Sequence, residues 1–231
     1  PDNYVTLFYE GDFRYYSEYD NFSDSYHLGG LSWELATQKG SQFEIGTRYQ
    51  DAAFQPYSPT DRSRDFTQWE AFGRALFRLG AVSELGFRYD HASRRMDDSR
   101  DEIDDFDIDG VALTFYYRRF PASSFLLEYA YDRGDYEDLG GPSTDSATHT
   151  LFGGIRWDPT SRLSGFFKAG YSKTDFEDVP DFSGYAMDVD LTYRFSDITT
   201  FVLSARRDVS RSTRSERETG DYRIALGGRL S

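Results

Sequence analysis

Apolar and polar residues alternate with a period of two along most of this chain, and this alternation limits the possible folds more than any other feature. In 41–50, for example, Phe43 and Tyr49 share one parity, and Glu44 and Arg48 share the other. Successive side chains of a β-strand point to opposite faces, so each such segment predicts a strand with one apolar and one polar face. About twelve such segments follow one another, each of about ten to thirteen residues. No segment has a convincing helical period, so the sequence predicts an all-β protein.

The connections between the predicted strands alternate in length. The short turns are Gln38–Gly40, Leu79–Ala81, Pro121–Ser123, Asp158–Ser161 and Ser196–Ile198, and the longer polar segments are 17–24, 51–65, 92–106, 133–147, 173–183 and 208–220. This alternation predicts an antiparallel meander with the tight turns at one end and the long loops at the other.

The strand length and the aromatic residues favour a membrane location. Strands of about ten residues can cross a bilayer at a tilt of about 45°, whereas strands of soluble proteins typically have about five or six residues. Aromatic residues of the apolar parity lie near both strand ends, as in membrane-interface belts. They are Tyr15, Tyr49, Tyr89, Tyr131, Tyr171, Tyr185 and Tyr222 near the long loops, and Trp33, Phe77, Trp157, Tyr193 and Phe195 near the short turns. Because β propensity also enriches aromatics, a soluble β protein that binds sugars is the alternative.

We therefore predict one domain, residues 1–231, that forms a transmembrane antiparallel up-and-down β-barrel in the bacterial outer membrane. The termini would be periplasmic, the long loops extracellular, and the partners outer-membrane lipid and lipopolysaccharide. The net charge of −14 argues against a nucleic-acid partner. The absence of cysteine excludes thiol chemistry and disulfides. No apolar run approaches the roughly 18 to 20 residues of a membrane-spanning helix.

The polar parity is predicted to face the lumen. The candidate pore-lining residues are Glu44, Arg48, Glu70, Arg74, Glu84, Arg88, Arg118, Glu128, Arg156, Lys168, Asp188, Asp190, Arg194 and Arg206. Both signs occur in similar numbers, so we expect a nearly neutral lumen with cross-strand ion pairs such as Glu44 with Arg74 and Glu84 with Arg118. Such a wall fits a hydrated passage for a sugar or another polar solute. It also fits a closed structural network of ion pairs.

The segment from Leu151 to Arg211 resembles a known family. Its features are the run Gly154–Ser164, which suggests a strand, a periplasmic turn and a strand, followed by Ala169–Phe176, Phe182–Tyr185, Thr199–Phe201 and Ser204–Arg207. In these strand and turn patterns the chain is similar to β-barrel porin family 2. The members of this family are outer-membrane proteins that often occur with functions in exopolysaccharide synthesis and export. The resemblance implies a barrel of about 16 to 18 strands. It also implies passage of a polysaccharide across the outer membrane, with periplasmic export machinery as a partner.

The chain end fits this implication, because barrels of this kind usually finish on an aromatic residue and Gly227–Ser231 contains none. We expect a C-terminally incomplete barrel that acts as a non-enzymatic conduit for polysaccharide. A general solute porin and a structural barrel with a closed, ion-paired lumen are the alternatives.

No catalytic, cofactor or metal site is predicted. His27, His91 and His149 lie near long-loop ends on the apolar parity, and spacing alone assembles no Ser-His-carboxylate set around them. The acidic segment Arg94–Asp107 could hold calcium, but it lacks the ligand spacing of an EF-hand loop, and its arginines are expected to pair internally. Lipopolysaccharide phosphates could be contacted by the basic residues Arg206, Arg207, Arg211 and Arg214.

Overall fold

The described part of the chain forms twelve β-strands that follow one another in sequence order. The computed structural model describes residues 2–15, 24–54, 64–98, 104–137, 145–157, 162–178, 180–196, 199–210 and 219–230, with the backbone alone at 24, 208–210 and 219–230. The strands are β1 (Asp2–Arg14), β2 (Asp24–Ala36), β3 (Gln42–Phe54), β4 (Arg64–Arg78), β5 (Ser83–Met96), β6 (Phe106–Phe120), β7 (Ser123–Tyr136), β8 (Ser146–Trp157), β9 (Leu163–Phe176), β10 (Phe182–Arg194), β11 (Thr199–Ser210) and β12 (Thr219–Leu230). The predicted turn Asp158–Ser161, residues 197 and 198, Arg211, Arg214 and the side chain of Tyr222 lie outside this description.

The twelve strands form one sheet in the order β1 to β12, and each strand pairs antiparallel with the next. The predicted all-β, up-and-down architecture is therefore confirmed. Within the described ranges, no pairing joins β1 to β12, so the sheet is not closed there by hydrogen bonds. No helix among the described residues is long and apolar enough to cross a membrane.

The period of two in the sequence gives the sheet two different faces. In β6, Val111, Leu113 and Phe115 are exposed, whereas Ala112 and Thr114 are buried. Apart from Phe120, which pairs with Ser123 after a register shift, the register from β1 to β11 pairs even-numbered with even-numbered residues, so the even residues of these strands share one face. We call this the inner face, because it borders the large cavity described below, and we call the odd-numbered face the outer face.

The strands extend further into the predicted long loops than the composition suggested. Residues 92–106 were expected to form a loop, but β5 runs to Met96 and β6 begins at Phe106. The backbone ladder continues because polar side chains at these strand ends pair with each other across it. Arg95 forms an ion pair with Asp107, and the Asp105 carboxylate accepts a hydrogen bond of 2.6 Å from the Met96 amide.

Glycines allow the sheet to bend in β8 to β10. At Gly170, an added Cβ would lie 1.9 Å from the backbone oxygen of Leu151, and at Gly165 it would lie 1.9 Å from that of Asp190. Gly165 also has a φ of 117°, which is strained for other residues. Glycine kinks of this kind are a means of curving a sheet, and here the bend brings the inner faces of distant strands together.

Candidate functional site

The inner face surrounds a cavity of about 610 Å³ that is bordered by residues from β1 to β10. Of the candidate residues predicted from the sequence, this cavity is lined by Glu44, Arg74, Arg88, Glu128, Arg156, Lys168 and Asp188. Arg48 and Glu70 line a second cavity of about 320 Å³. Strands as far apart in the sheet as β2 and β9 therefore share one polar space.

The most buried charges of this site form a triad around Lys168. Its Nζ lies 2.7 Å from Oε1 of Glu128 and 3.4 Å from Oδ2 of Asp188, and only 9% of each of the Lys168 and Glu128 side chains is exposed. Thr114 donates a hydrogen bond of 2.9 Å to the other oxygen of Glu128. Each buried charge thus has an opposite charge or a hydrogen-bond donor, as burial requires.

This triad spans four strands, because Glu128 lies on β7, Lys168 on β9 and Asp188 on β10, and β8 lies between Glu128 and Lys168. On the intervening strand, Gly154 is registered opposite Lys168 and has no side chain to obstruct it. A Cβ at Gly154 would lie 2.9 Å from that of Lys168 and still closer to the backbone of β9. The glycine therefore lets the lysine reach across β8 to its partner.

A second cluster lies near the short-turn ends, where one carboxylate serves three guanidinium groups. Glu84 lies 2.5 Å from Arg156, 3.7 Å from Arg78 and 3.8 Å from Arg118, with 11% of its side chain exposed. The ring of Tyr116 stacks under the Arg156 guanidinium, at 4.0 Å from its centroid. Four strands, β4, β5, β6 and β8, contribute charges to this cluster.

The remaining ion pairs of the inner face are more hydrated. Arg74 lies 3.2 Å from Glu44, directly opposite it in the β3–β4 register, and Arg48 lies 3.9 Å from Glu70 in the same strands. About half of each arginine side chain is exposed. Both ion pairs expected from the sequence, Glu44 with Arg74 and Glu84 with Arg118, are thus present in the structure.

Of the other candidates, Arg88 borders the large cavity, whereas Asp190, Arg194 and Arg206 lie on the inner face away from both cavities. Nε of Arg88 is 2.9 Å from Oδ2 of Asp90, although the angle is too bent for a hydrogen bond. Asp190 accepts a long hydrogen bond of 3.5 Å from Ser204. Arg194 and Arg206 are exposed on the same face. The structure therefore places all of the candidates on one face and brings only part of them together.

Charges of both signs are interleaved along the large cavity's wall. In sheet order, the carboxylates and the basic groups that line it are Asp2, Glu34, Glu44, Arg74, Arg88, Glu128, Arg156, Lys168 and Asp188. Some of them are partners of each other, such as Glu44 with Arg74 and Glu128 with Lys168. Neither sign therefore dominates this wall.

Aromatic rings of the inner face lie against glycines of neighbouring strands. A Cβ at Gly30 would lie 2.5 Å from the ring of Phe8, and a Cβ at Gly46 would lie 2.5 Å from the ring of Phe72. The rings therefore lie along the wall instead of filling the space in front of it. Arg74 in turn packs over Phe72, at 5.0 Å from the ring centroid.

The outer face carries most of the exposed large apolar residues and all three histidines. Nδ1 of His27 lies 2.7 Å from the Tyr9 hydroxyl, and Nδ1 of His149 lies 2.7 Å from that of Tyr129. Nδ1 of His91 lies 2.9 Å from the Asp109 carboxylate, which also accepts a hydrogen bond of 2.7 Å from a tyrosine hydroxyl. Among the described residues, no three potential metal ligands come together.

Sequence reasoning based on charge missed several uncharged residues that line the cavities. Gln50 and Gln68 border the smaller cavity, and Thr114 borders the larger one. They have the same parity as the charged candidates, so parity without regard to charge would have found them.

The chain matches no protein-family model and no curated protein.

Proposed function

We propose that this chain forms the wall of a bacterial outer-membrane barrel through which a polar saccharide polymer passes. The observation that carries the proposal is the contrast between the two faces of one sheet. Large apolar residues such as Leu7, Leu127 and Leu151 are exposed on the outer face, while the inner face borders a charged cavity. A spanning barrel needs an apolar exterior facing lipid and permits a polar interior.

The distribution of apolar residues over the outer face supports a tilt of the strands in the bilayer. One row of directly registered outer residues runs Leu7, Leu31, Thr47, Ala71, His91, Asp109 and Arg133 from β1 to β7. This row is apolar at β1 and ionic at β7. A band of apolar residues that faces the bilayer at one depth therefore cannot follow the rows of registered residues and must cross them at an angle. Strands of a closed or nearly closed barrel are inclined in this way.

The chemistry of the inner face favours a saccharide over a simple ion. Neither charge sign dominates the cavity, so it offers both donors and acceptors to the hydroxyl groups of a sugar. Phe72 and Phe166 add apolar surface on the same face, as saccharide sites commonly provide. The resemblance to β-barrel porin family 2 noted from the sequence points to the same class of solute.

A structural barrel with a closed lumen is the second candidate. It is favoured by the buried Lys168 triad and by the Glu84 cluster, which bridge the inner faces of non-neighbouring strands. If such bridges continue across the interior, they would leave no passage. Conductance separates the two candidates.

Two measurements test the proposal. In planar bilayers, the full-length protein should give stable channels that a neutral or acidic polysaccharide blocks; folded protein without conductance would favour the structural barrel. In vesicles, Leu113→Arg should reduce the free energy of unfolding by about 2–4 kcal/mol, because Leu113 would face the bilayer interior. Tyr117→Arg, nearer the short-turn end of the same face, should reduce the free energy of unfolding by only about 0–1 kcal/mol. Equal effects of the two substitutions would contradict the membrane location.

A further inference from the structure

We propose that the smaller cavity, on the inner face of β1 to β4, is a binding subsite for a short neutral segment of a saccharide. The inference rests on the proposed function, since it assumes that a polymer reaches the inner face. The cavity has a volume of about 320 Å³ and is lined by Phe8, Leu28, Arg48, Gln50, Gln68 and Glu70. Pockets for small ligands typically range from about 300 to 1,000 Å³, so this one fits a short segment.

The register explains why these residues form one patch. Leu28, Gln50 and Gln68 are consecutive registered partners across β2, β3 and β4. Arg48 and Glu70 are partners in the adjacent inner row of β3 and β4. Phe8 lies in that same row, across Gly30, and its ring lies over this glycine. Two neighbouring rows thus present four planar polar groups beside one aromatic ring.

This set of side chains matches the surface of a sugar. A pyranose has an apolar C–H face, which packs on an aromatic ring, and a rim of hydroxyl groups that both donate and accept. Arginine donates, carboxylate accepts, and each glutamine amide does both. The charges of Arg48 and Glu70 offset each other at 3.9 Å, so the site does not select strongly for an acidic sugar.

One side of the site is held in place by Arg94, the registered partner of Gln68 on β5. Nε and Nη2 of Arg94 donate hydrogen bonds of 3.0 and 2.7 Å to Oε1 of Gln68, whose Nε2 donates one of 2.7 Å to Glu70. Arg94 is itself fixed, because its guanidinium packs over the rings of Phe66 and Phe106, at 4.8 Å from each centroid. Fixing polar groups before a ligand arrives reduces the entropy that binding must lose.

The other side of the site has unused hydrogen-bonding capacity. Gln50 makes no side-chain hydrogen bond to any residue in the described part of the chain, although it lies opposite Gln68 and lines the cavity. Glu70 contacts Arg48 only at 3.9 Å through its second carboxylate oxygen. These groups can bind hydroxyls without first breaking strong contacts within the protein.

The test measures binding of maltohexaose and of an acidic hexasaccharide, oligogalacturonate, to the full-length protein in detergent by calorimetry. Gln50→Ala and Gln68→Ala should each raise the Kd for maltohexaose by about tenfold or more, since a polar site discriminates strongly once a partner is removed. Gln38→Ala, in an exposed short turn, is the matched control and should leave the Kd unchanged. Because the Gln50 side chain has no described partner, its loss tests the site even if Gln68→Ala does not fold.

Three results would overturn the inference: no binding of maltohexaose by the unsubstituted protein, at least tenfold tighter binding of the acidic sugar, or the same Kd in the Gln50 variant and the control. Conductance of the same samples separates this failure from failure of the proposed function. If the protein forms channels but binds no saccharide, the pore remains supported and the subsite is refuted. If the protein gives no conductance but binds maltohexaose, and Gln50→Ala raises the Kd as expected, the subsite remains supported and the conduit is refuted.

Discussion

Removal of the Lys168 charge gives the sharpest test of the inner face. In Lys168→Met, Glu128 would remain buried with a single hydrogen bond from Thr114, and Asp188 would lose its lysine contact. Breaking one side of a buried ion pair typically costs about 3–5 kcal/mol. With 9% of both the Lys168 and the Glu128 side chains exposed, we expect a loss in this range. Urea unfolding from lipid vesicles, followed by tryptophan fluorescence, measures it.

Two further variants show whether an uncompensated charge causes the loss. The double variant Lys168→Met with Glu128→Met should recover most of the stability, because apolar replacement of both partners is often neutral. Lys173→Met, on the outer face of the same strand, removes ion pairs with Asp175 and Asp181 in which the lysine is 53% exposed, and it should cost at most about 1 kcal/mol. The triad would instead be hydrated if Lys168→Met lowers the free energy of unfolding by less than about 1 kcal/mol, or if the double variant is no more stable than Lys168→Met. Either result would refute the buried ion pair.

Three other perturbations test the wall. Gly170→Ala should lower the free energy of unfolding by about 1–3 kcal/mol or more, because its Cβ would meet a backbone oxygen of the neighbouring strand. Gly153→Ala, whose Cβ meets nothing within 4 Å, should keep the urea midpoint of the unsubstituted protein, and equal midpoints for the two variants would refute the close approach at Gly170. Glu84→Gln should cost about 1.5–3 kcal/mol by the same assay, since three arginines lose their shared carboxylate; an unchanged midpoint would mean that water already screens the cluster. Tyr129→Phe should cost about 0.5–1.5 kcal/mol through loss of its hydrogen bond to His149, and no cost would make that contact incidental.

The fold was predictable because the period of two repeats in every strand and requires no knowledge of distant contacts. The strand ends were less predictable. Asp107 and Arg95 have a loop-like composition, yet they pair across the ladder and extend β5 and β6. Amino-acid composition indicates where residues become exposed to solvent, whereas a strand ends where its backbone hydrogen bonds end. These two positions differ wherever polar residues continue the strand beyond its apolar part.

The candidate site was predictable to the extent that it depends on register between neighbouring strands. Glu44 and Arg74 are direct partners, so alternation and short turns suffice to bring them together. The contacts of Lys168 with Glu128 and of Arg156 with Glu84 join strands that are not neighbours. They depend on the curvature of the sheet, which glycines such as Gly154 permit, and no local pattern specifies that curvature.

The constant parity of the sheet also determines where the length of this chain can change during evolution. The pairing stays regular from β1 to β12 except for a single shift between Tyr117 and Phe120, beside a short turn. A residue inserted in the middle of β6 would exchange the two faces over the remainder of that strand, so that Leu113 and Thr114 would trade surroundings. A residue inserted in a connection changes no face at all. Homologous chains should therefore gain and lose residues freely between strands, and within strands only in pairs or where a bulge absorbs the odd residue.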